Sequence, residues 1–342
     1  MQMGRGLQER QPHAQSLIHF HQCCNLPYTH AVAIGTRPNK SRRTKKKVDI
    51  VATLKERLEA GETIILDGGT GTEMERRGVP MQEGAWCGVG SIVNPDGVRG
   101  VHEAYINAGA DVLIANTYAS SRHVLAQADM AHEFEHANRL GIELARQACD
   151  NVATKPIAVA GSISTTAMYG DVPSDDVARV NYNDQAEIQA EGGADLIILE
   201  MMRDIDHTQI AIDAVKRTGL PLWIGYSCKM YNGEPWLFNM GHSFADGLKS
   251  LDTEGVDLIA IMHTETVEVD ACLDVMDQHW DGPTGAYAQT GKFKPPHWHF
   301  IDTISPADYG DACKLWHDRG VQVIGGCCGI GPEHIEHLGS IL

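Results

Sequence analysis

Short apolar runs alternate with amphipathic segments along most of this chain, and the alternation limits the folds that it can adopt. Eight such runs lie between residues 63 and 324. Runs that are apolar at consecutive positions are typical of strands buried on both faces. The eight runs are Thr63–Leu66, Val112–Ala115, Ile157–Ala160, Leu196–Leu199, Leu222–Gly225, Leu258–Ile261, Gly285–Tyr287 and Val321–Ile324.

Helical patterns occupy the segments between these runs, as parallel strands require, because each crossover needs a helix. A further helix is predicted ahead of the first run, over Val48–Ala60. The segments between the runs include Pro95–Asn107, His132–Asp150, Asn181–Glu191, Ile205–Thr218, Ser243–Thr253, Val267–Gln278 and Pro306–Arg319. Eight strand–helix units in about 290 residues are the count of a (β/α)₈ barrel. We therefore predict an α/β fold, a single-domain (β/α)₈ TIM barrel.

The alternative α/β architecture is a doubly wound open sheet. It would usually contain fewer strands and a glycine-rich phosphate loop. The segment Asp67-Gly-Gly-Thr-Gly-Thr72, which follows the first run, is not a G-x-G-x-x-G motif. The barrel is therefore favoured.

Residues 1–48 differ from the remainder of the chain. They carry nine lysines and arginines against one acid, Glu9, so they have a net charge of +8 and leave −25 for the rest. They show no helix or strand period. We predict a basic, disordered N-terminal extension over residues 1–48 and a barrel domain over residues 49–342. A targeting arm or a tether for an acidic partner is the alternative interpretation of the extension.

Composition excludes several classes of function. A net charge of −17 that is concentrated in the barrel region predicts no nucleic-acid partner. No stretch approaches eighteen continuous apolar residues, so no membrane span is predicted. Nine irregularly spaced cysteines do not suggest a disulfide framework and fit reduced thiols in the cytoplasm.

Polar side chains follow the apolar runs at the ends where a barrel places its catalytic residues. If the runs are barrel strands, these side chains form a ring around one mouth of the barrel. The ring includes Asp67, Thr117, Glu200, Cys228, His263, Cys327 and Cys328.

Cys327 and Cys328 are the most distinctive members of this ring. Adjacent cysteines rarely bond to each other, because the peptide between them holds the two sulfur atoms badly for a disulfide. Two thiolates at one point indicate a soft metal, most often zinc. The alternative is that both are small buried hydrophobic side chains, as free cysteine often is.

Four segments resemble one known family, the zinc-dependent homocysteine S-methyltransferases. This family includes betaine–homocysteine and S-methylmethionine–homocysteine methyltransferases. The likeness extends from about Gly61 to the C-terminus. The segments are Asp67-Gly-Gly-Thr-Gly-Thr-Glu-Met-Glu-Arg-Arg-Gly78, Asn116-Thr-Tyr118, Leu199-Glu200 and Gly325-Gly-Cys-Cys-Gly329.

The resemblance implies a Zn²⁺ ion held by three cysteines, of which Cys327 and Cys328 match two. His263 lies where the third cysteine is usual, and imidazole is a good zinc ligand. The predicted metal site is therefore Cys327, Cys328 and His263. Cys228 is the alternative third ligand. His263 can also be interpreted as a hydrogen-bonded pocket residue that binds no metal.

The resemblance also implies the substrate contacts. Asp67 and Glu200 would hold the amino group of homocysteine, and Thr117 with the backbone of Gly68 and Gly69 would hold its carboxylate. Alternatively, Asp67 caps a turn and Glu200 forms a salt bridge with Arg203. The acceptor is predicted to be homocysteine or a related thiol.

The methyl donor is predicted to be a small cation, because cationic methyl groups pack favourably on aromatic rings. Trp86 lies near the tryptophan that the betaine-using relatives place over their donor, although it can also be plain lid packing. Met201 replaces the tyrosine of those relatives, and their long C-terminal arm is absent. A sulfonium such as S-methylmethionine is therefore favoured over betaine.

Three function classes compete at this stage. The favoured one is homocysteine S-methyltransferase, an enzyme that makes methionine. A zinc barrel for hydrolysis or aldol chemistry would need a general base beside a metal-bound water. The third class is a non-catalytic zinc- or thiol-sensing barrel. An oligomer is compatible with the sequence.

Overall fold

The computed structural model describes residues 49–165 and 173–342. The predictions for residues 1–48 lie outside the described residues. The strands in the described part are β1 (Ile64–Ile65), β2 (Val112–Ile114), β3 (Ala158–Ser164), β4 (Leu196–Met202), β5 (Leu222–Tyr226), β6 (Cys228–Tyr231), β7 (Glu234–Leu237), β8 (Leu258–Glu265), β9 (Thr284–Gln289), β10 (Lys292–Lys294), β11 (His297–His299) and β12 (Val323–Ile324).

Eight parallel strands form one sheet, in the order β1-β12-β9-β8-β5-β4-β3-β2. A parallel bridge between Leu66 and Val112 joins the two outer strands, β1 and β2, so the sheet forms a nearly closed barrel. The prediction of a single (β/α)₈ barrel domain is confirmed for the described part of the chain. Each of the eight predicted apolar runs overlaps a strand of this barrel.

Alternate residues of the strands belong to two separate apolar clusters. Ile64, Ile114 and Ile198 pack inside the barrel. Ile65, Leu113 and Ile197 pack between the barrel and its helices. The period of two along a strand sends neighbours to opposite faces, and both faces are buried here. This explains why the strands are apolar at consecutive positions.

Helices surround the barrel and cover one of its ends. They are α1 (Ile50–Glu59), α2 (Thr70–Arg76), α3 (Gly90–Val93), α4 (Pro95–Asn107), α5 (Arg122–Ala126), α6 (Phe134–Val152), α7 (Asp175–Glu191), α8 (Asp206–Lys216), α9 (Phe244–Ser250), α10 (Val269–Met276), α11 (Pro306–Asp318) and α12 (Pro332–Ile341). Leu54 of α1 packs with Leu196 and Trp223 near the amino ends of β4 and β5. This leaves the carboxyl ends of the strands as the open end of the barrel.

Three strands extend three or more residues beyond the carboxyl ends of the apolar runs that predicted them. β3, β4 and β8 continue through polar residues to Ser164, Met202 and Glu265. An apolar run stops at the first polar residue, but backbone pairing with the neighbouring strands continues past it. The run therefore underestimates the length of the strand. Glu200 and His263 therefore lie within strands and not after them.

Two hairpins at the open end of the barrel were not predicted. β6 pairs with β7, and β10 pairs with β11. Asn232 and Gly233 between β6 and β7 both have positive φ, as a tight hairpin turn requires. The Asn-Gly pair was therefore an available sequence signal for the first hairpin.

Within the described residues, none of the helices combines the length and the apolar character needed to cross a lipid bilayer. The cytoplasmic location stays a prediction.

Candidate functional site

A cavity of about 380 Å³ opens at the carboxyl ends of the barrel strands. Its wall includes residues from the loops after β1, β2 and β12, and from the ends of β4 and β8. Most of the predicted site residues lie on this wall. They are Gly68, Trp86, Glu200, His263, Cys327 and Cys328.

Cys327, Cys328 and His263 form a cluster with the spacing of metal ligands. The Sγ atom of Cys327 lies 3.6 Å from Nδ1 of His263 and 3.9 Å from Sγ of Cys328. One ligand atom from each residue lies within 4.8 Å of the other two. A tetrahedral zinc ion with ordinary bond lengths would separate its sulfur ligands by about 3.8 Å, and a sulfur from a nitrogen by about 3.6 Å. The three residues therefore fit a zinc ion.

The backbone of the cysteine loop is held tightly to the neighbouring strand end. Cys327 N donates to Ala288 O at 2.9 Å, and Thr290 N donates to Cys328 O at 2.9 Å. Gly329 has a φ of +82°, and a Cβ there would lie 2.2 Å from Thr290 O. Only glycine fits this position, which keeps the loop close to β9 and fixes where the two thiols point.

Without a metal ion, the pKa values of the two thiols are shifted in opposite directions. Hydrogen bonds from the Cys328 thiol and from His263 stabilise the Cys327 thiolate and hold the pKa of Cys327 well below its usual value. The thiol of Cys328 donates to that thiolate and is buried, so the pKa of Cys328 is raised. The two thiols therefore differ in how readily they lose a proton, with Cys327 the more acidic of the two.

A backbone irregularity places His263 beside Cys327. The register between β8 and β9 shifts between Met262 and Glu265, and His263 has a φ of 45°. Positive φ is uncommon for a residue with a side chain. The ring of His263 lies 5.9 Å from that of Phe238 and 6.2 Å from that of Trp298. The bulge thus turns a strand residue toward the cysteine loop.

Cys228, the alternative third ligand, lies apart from this cluster. It begins β6 and is only 1% exposed. Burial and then a hydrogen bond with Cys272 raise the pKa of Cys228. In the part of the chain that the structure describes, the group with metal-ligand spacing contains His263 and not Cys228. The geometry therefore favours His263 as the third ligand.

Asp67 and Glu200 are two buried carboxyl groups at the cavity. Oδ2 of Asp67 accepts a hydrogen bond from Ile114 N at 2.8 Å, whereas its Oδ1 has no hydrogen-bond partner among the described residues. Oε2 of Glu200 accepts from Ser162 Oγ at 2.5 Å. The alternative salt bridge from Glu200 to Arg203 is not formed. Burial raises the pKa of Asp67, and the nearby Glu200 raises it further. A bound cation would favour the ionised forms of these two carboxyl groups.

Thr117 lies behind the cavity wall and is fully buried. Its hydroxyl donates to Ser162 O at 2.9 Å and accepts from Ser162 N at 2.8 Å. Both capacities of the hydroxyl are therefore used within the protein. Because Ser162 also bonds to Glu200, Thr117 positions a cavity residue in this conformation and does not itself reach the cavity.

An aromatic wall lies across the mouth of the cavity. Trp86 contacts Phe293 edge-on, with ring centroids 5.8 Å apart, and Phe293 stacks with Trp298 at 6.2 Å. Trp86 was predicted as a site residue. Trp298 lies in a segment, Pro295–His299, that on its sequence can either line the pocket or form a stiff loop, and Phe293 was not predicted. Phe293 and Trp298 lie on the β10–β11 hairpin, where the Pro295-Pro-His-Trp-His299 segment was the only signal of a structured loop. Aromatic faces of this kind suit a cationic ligand.

Comparison with known proteins places this barrel in a family. The family model described as homocysteine S-methyltransferase matches residues 64–342. The chain belongs to the homocysteine S-methyltransferase family. The resemblance predicted from the sequence motifs is confirmed.

Curated members of the family cover most of the chain. Homocysteine S-methyltransferase 1 of Zea mays is 26% identical over 311 residues, which cover 83% of this chain and 95% of that protein. Betaine–homocysteine S-methyltransferase 1 of Bos taurus is 26% identical over 304 residues, which cover 84% and 74%. A relative named for betaine and one whose name gives no methyl donor thus have the same identity to this chain.

The fold also matches a solved structure whose name agrees with the family. The metallated form of the homocysteine methyltransferase MmuM from Escherichia coli superimposes with a TM-score of 0.68 at 21% identity, covering 84% of this chain and 99% of that one. At this identity the match supports the barrel fold alone.

The hairpin that carries the aromatic wall is attached to α2 through one carboxylate. Oε2 of Glu75 accepts from Trp298 N at 2.9 Å, and its Oε1 lies 2.7 Å from Nδ1 of His297. Replacing Glu75 by alanine should release the hairpin. We expect the apparent KM for the methyl donor to rise by about 5- to 20-fold, since two hydrogen bonds to a charged group are lost. The emission maximum of the tryptophan fluorescence should also shift.

Glu83→Ala is the matched control, because Glu83 is an exposed acid that forms no ion pair in the described structure. Kinetics for both substrates and fluorescence spectra of the two variants provide the test. Equal donor KM values in Glu75→Ala and in the wild-type protein would show that the hairpin stays in place without Glu75.

Glu200 makes the stability of the metal-free protein depend on pH. Burial, and then the negative charge of Cys327, raise the pKa of Glu200 from 4.5 to about 8. The folded protein therefore holds this proton more tightly than the unfolded chain does. The free energy of unfolding should fall as the pH rises from about 4.5 to about 8. In Glu200→Gln the free energy of unfolding should fall less over this pH range. Part of the fall should remain, because the pKa of Asp67 is also raised.

Urea unfolding of the two metal-free proteins at pH 5 and pH 8 measures this difference. The same loss of stability in both would mean that the Glu200 carboxyl does not titrate in this range.

Proposed function

We propose that this protein transfers a methyl group from a small cationic donor to the sulfur of homocysteine and so forms methionine. The observation that carries the proposal is that the Cys327–Cys328–His263 cluster and Glu200 line one cavity, with the carboxyl group of Asp67 buried close to Glu200 and Cys327. Family membership agrees with it. One cavity thus offers ligands for a thiol-binding metal beside partners for an ammonium group.

Zn²⁺ is the proposed cofactor, held by Cys327, Cys328 and His263. Two thiols and an imidazole form a donor set that zinc prefers, and three protein ligands leave a fourth position open. When bound, zinc would hold the homocysteine sulfur and lower the pKa of its thiol, so that the sulfur reacts as a thiolate. The tight hydrogen bonding of the cysteine loop keeps the two thiols in place for this role.

The proposed role of Asp67 and Glu200 is to bind the ammonium group of homocysteine. Both carboxyl groups are buried, and in the absence of a ligand the pKa of each is raised. An ammonium group would favour the ionised forms and satisfy the free oxygen of Asp67. The adjacent carboxylate of homocysteine would lie at the backbone of Gly68, since the amide of Gly69 already donates to Ile330 O at 2.9 Å. Thr117 would contribute through Ser162.

The proposed donor is a sulfonium such as S-methylmethionine. The rings of Trp86, Phe293 and Trp298 would face its positive charge. A sulfonium gives a neutral thioether on losing its methyl group, and Met201 stands where betaine-using relatives have a tyrosine. Betaine is the alternative donor, because the aromatic wall also suits a quaternary ammonium group.

The test is direct measurement of product. The reduced, zinc-loaded protein is incubated with homocysteine and, separately, with S-methylmethionine, glycine betaine and methyl-cobalamin, and methionine is quantified by mass spectrometry with isotope-labelled methyl groups. Labelled methionine with S-methylmethionine supports the proposal. Product only with betaine changes the donor. Zinc binding without product from any donor would favour a sensing role over catalysis.

A further inference from the structure

Arg203 lines the cavity and has no acidic partner within residues 49–165 and 173–342. It follows β4 directly, is half-buried and lines the cavity wall. It forms no hydrogen bond or ion pair with any residue that the structure describes. Its neighbour Asp204 forms no ion pair with it, and Oδ1 of Asp204 accepts instead from His207 N at 2.8 Å.

This isolation is unusual in the protein. Of the eleven arginines in residues 49–165 and 173–342, nine form ion pairs. The other two are Arg203 and Arg217, and Arg217 is exposed to solvent. A guanidinium group stays charged at all ordinary pH values and has a planar set of donors that matches a carboxylate. Arg203 therefore has the chemistry of a carboxylate-binding residue that lacks its ligand.

The topology indicates which substrate brings this carboxylate. Glu200 lies within β4, whereas Arg203 lies beyond the end of that strand and thus nearer to the cavity mouth. The aromatic residues likewise lie beyond strand ends, on loops that follow β1 and β9, with the ring of Trp298 6.2 Å from that of His263. Homocysteine is proposed to bind at the deeper level, beside Glu200 and the cysteines. The part of the cavity beyond the strand ends, between Arg203 and the aromatic residues, is left for the methyl donor.

The charges are also separated around the barrel. β1 and β9 each lie three strands from β4 in the closed ring. The aromatic rings and Arg203 therefore line separate parts of the cavity wall. A ligand with a cation at one end and a carboxylate at the other would match both sides.

We propose that Arg203 binds the carboxylate of the methyl donor and so makes this protein select carboxylate-bearing onium donors over simple cations. The inference rests on the proposed function. It applies to sulfonium and quaternary ammonium donors alike, because both classes share the cation and the carboxylate.

The reaction balances without any further reactant. The homocysteine thiol releases its proton to solvent, and its sulfur forms a bond to the methyl carbon. The bond between that carbon and the onium atom breaks, and its electron pair stays on the donor. The donor becomes a neutral thioether or a tertiary amine, while its carboxylate remains paired with Arg203 until it leaves.

The test uses Arg203→Gln in the zinc-loaded protein, with Arg217→Gln as the matched control. The donors are S-methylmethionine and glycine betaine, which carry a carboxylate, and trimethylsulfonium and choline, which do not. Arg203→Gln should lower kcat/KM by about 10- to 100-fold for each carboxylate donor that the wild-type protein uses, mainly through KM. The value for a donor without a carboxylate should stay unchanged or rise, since a repelling charge is removed. The KM for homocysteine should change by less than about 3-fold.

A rise in the KM for homocysteine with an unchanged donor KM would overturn the inference and assign Arg203 to the acceptor. An equal loss for donors with and without a carboxylate would overturn it in favour of a general structural role. Calorimetric titration of each donor into the homocysteine-free protein gives a second readout. Donor binding that Arg203→Gln weakens at least 10-fold would support the inference even if no methionine forms, in which case only the proposed reaction fails. A wild-type protein that neither binds nor uses a carboxylate donor would overturn both.

Discussion

Replacing Cys327 by serine is expected to remove bound zinc and to reduce methyl transfer below about 1% of the wild-type rate. A serine hydroxyl is a poor ligand for a soft site, and loss of an outer hydrogen-bond partner alone already lowers metal affinity by about 10- to 100-fold. Without the metal, the homocysteine thiol would stay largely protonated at neutral pH. Zinc content by plasma mass spectrometry and the initial rate of methionine formation measure the two effects.

Variants of His263 and Cys228 make this test specific for the ligand set. His263→Ala should also lose zinc, because its Nδ1 lies 3.6 Å from Cys327 Sγ. Cys228→Ser should keep one zinc per chain, because that thiol bonds to Cys272 inside the protein. Loss of zinc from Cys228→Ser with full retention in His263→Ala would reverse the assignment of the third ligand. Circular dichroism of each variant checks that the barrel remains folded.

Replacing Glu200 by glutamine is expected to weaken homocysteine binding by about 10- to 150-fold. The exchange removes a charged partner of the ammonium group, a type of hydrogen bond that contributes about 1.5–3 kcal/mol. Glutamine keeps an oxygen that can accept from Ser162 Oγ, so the local structure should persist. The dissociation constant for homocysteine, from calorimetry on the zinc-loaded protein, is the measurement.

Two controls distinguish this effect from general damage. Glu234→Gln alters an exposed acid on β7 and should leave homocysteine affinity unchanged. Zinc content should stay the same in Glu200→Gln, since the metal cluster does not include that residue. Unchanged homocysteine affinity in Glu200→Gln would show that the carboxylate of Glu200 does not bind homocysteine.

Local sequence was sufficient for the elements whose boundaries depend on nearby residues. The helix predicted over Pro95–Asn107 agrees with α4 at both ends. Asn94 caps it by accepting from Gly97 N at 3.0 Å, and proline stands at its first position. The strand ends at Glu200 and His263 were misplaced, because pairing with neighbouring strands extends β4 and β8 past their last apolar residues.

Other site features depend on contacts that are distant in sequence. Thr117 follows a strand end as predicted, but its hydroxyl bonds to Ser162, 45 residues away. The hairpin that carries Phe293 and Trp298 is held in part by Glu75, more than 200 residues earlier in the sequence. No local pattern encodes such pairings.

The sequence by itself determined the barrel, the cysteine loop at the end of the eighth strand and the family. The barrel follows because few folds can bury eight apolar strands on both faces. The cysteine loop and the family follow because the glycine and cysteine pattern can be recognised from neighbouring residues alone. Only the tertiary structure decided that His263 turns toward Cys327, that Cys228 turns away, and that Arg203 has no acidic partner in the part of the chain that the structure describes. These outcomes depend on a register shift between two strands and on which distant side chains meet, and both are set by packing of the whole barrel.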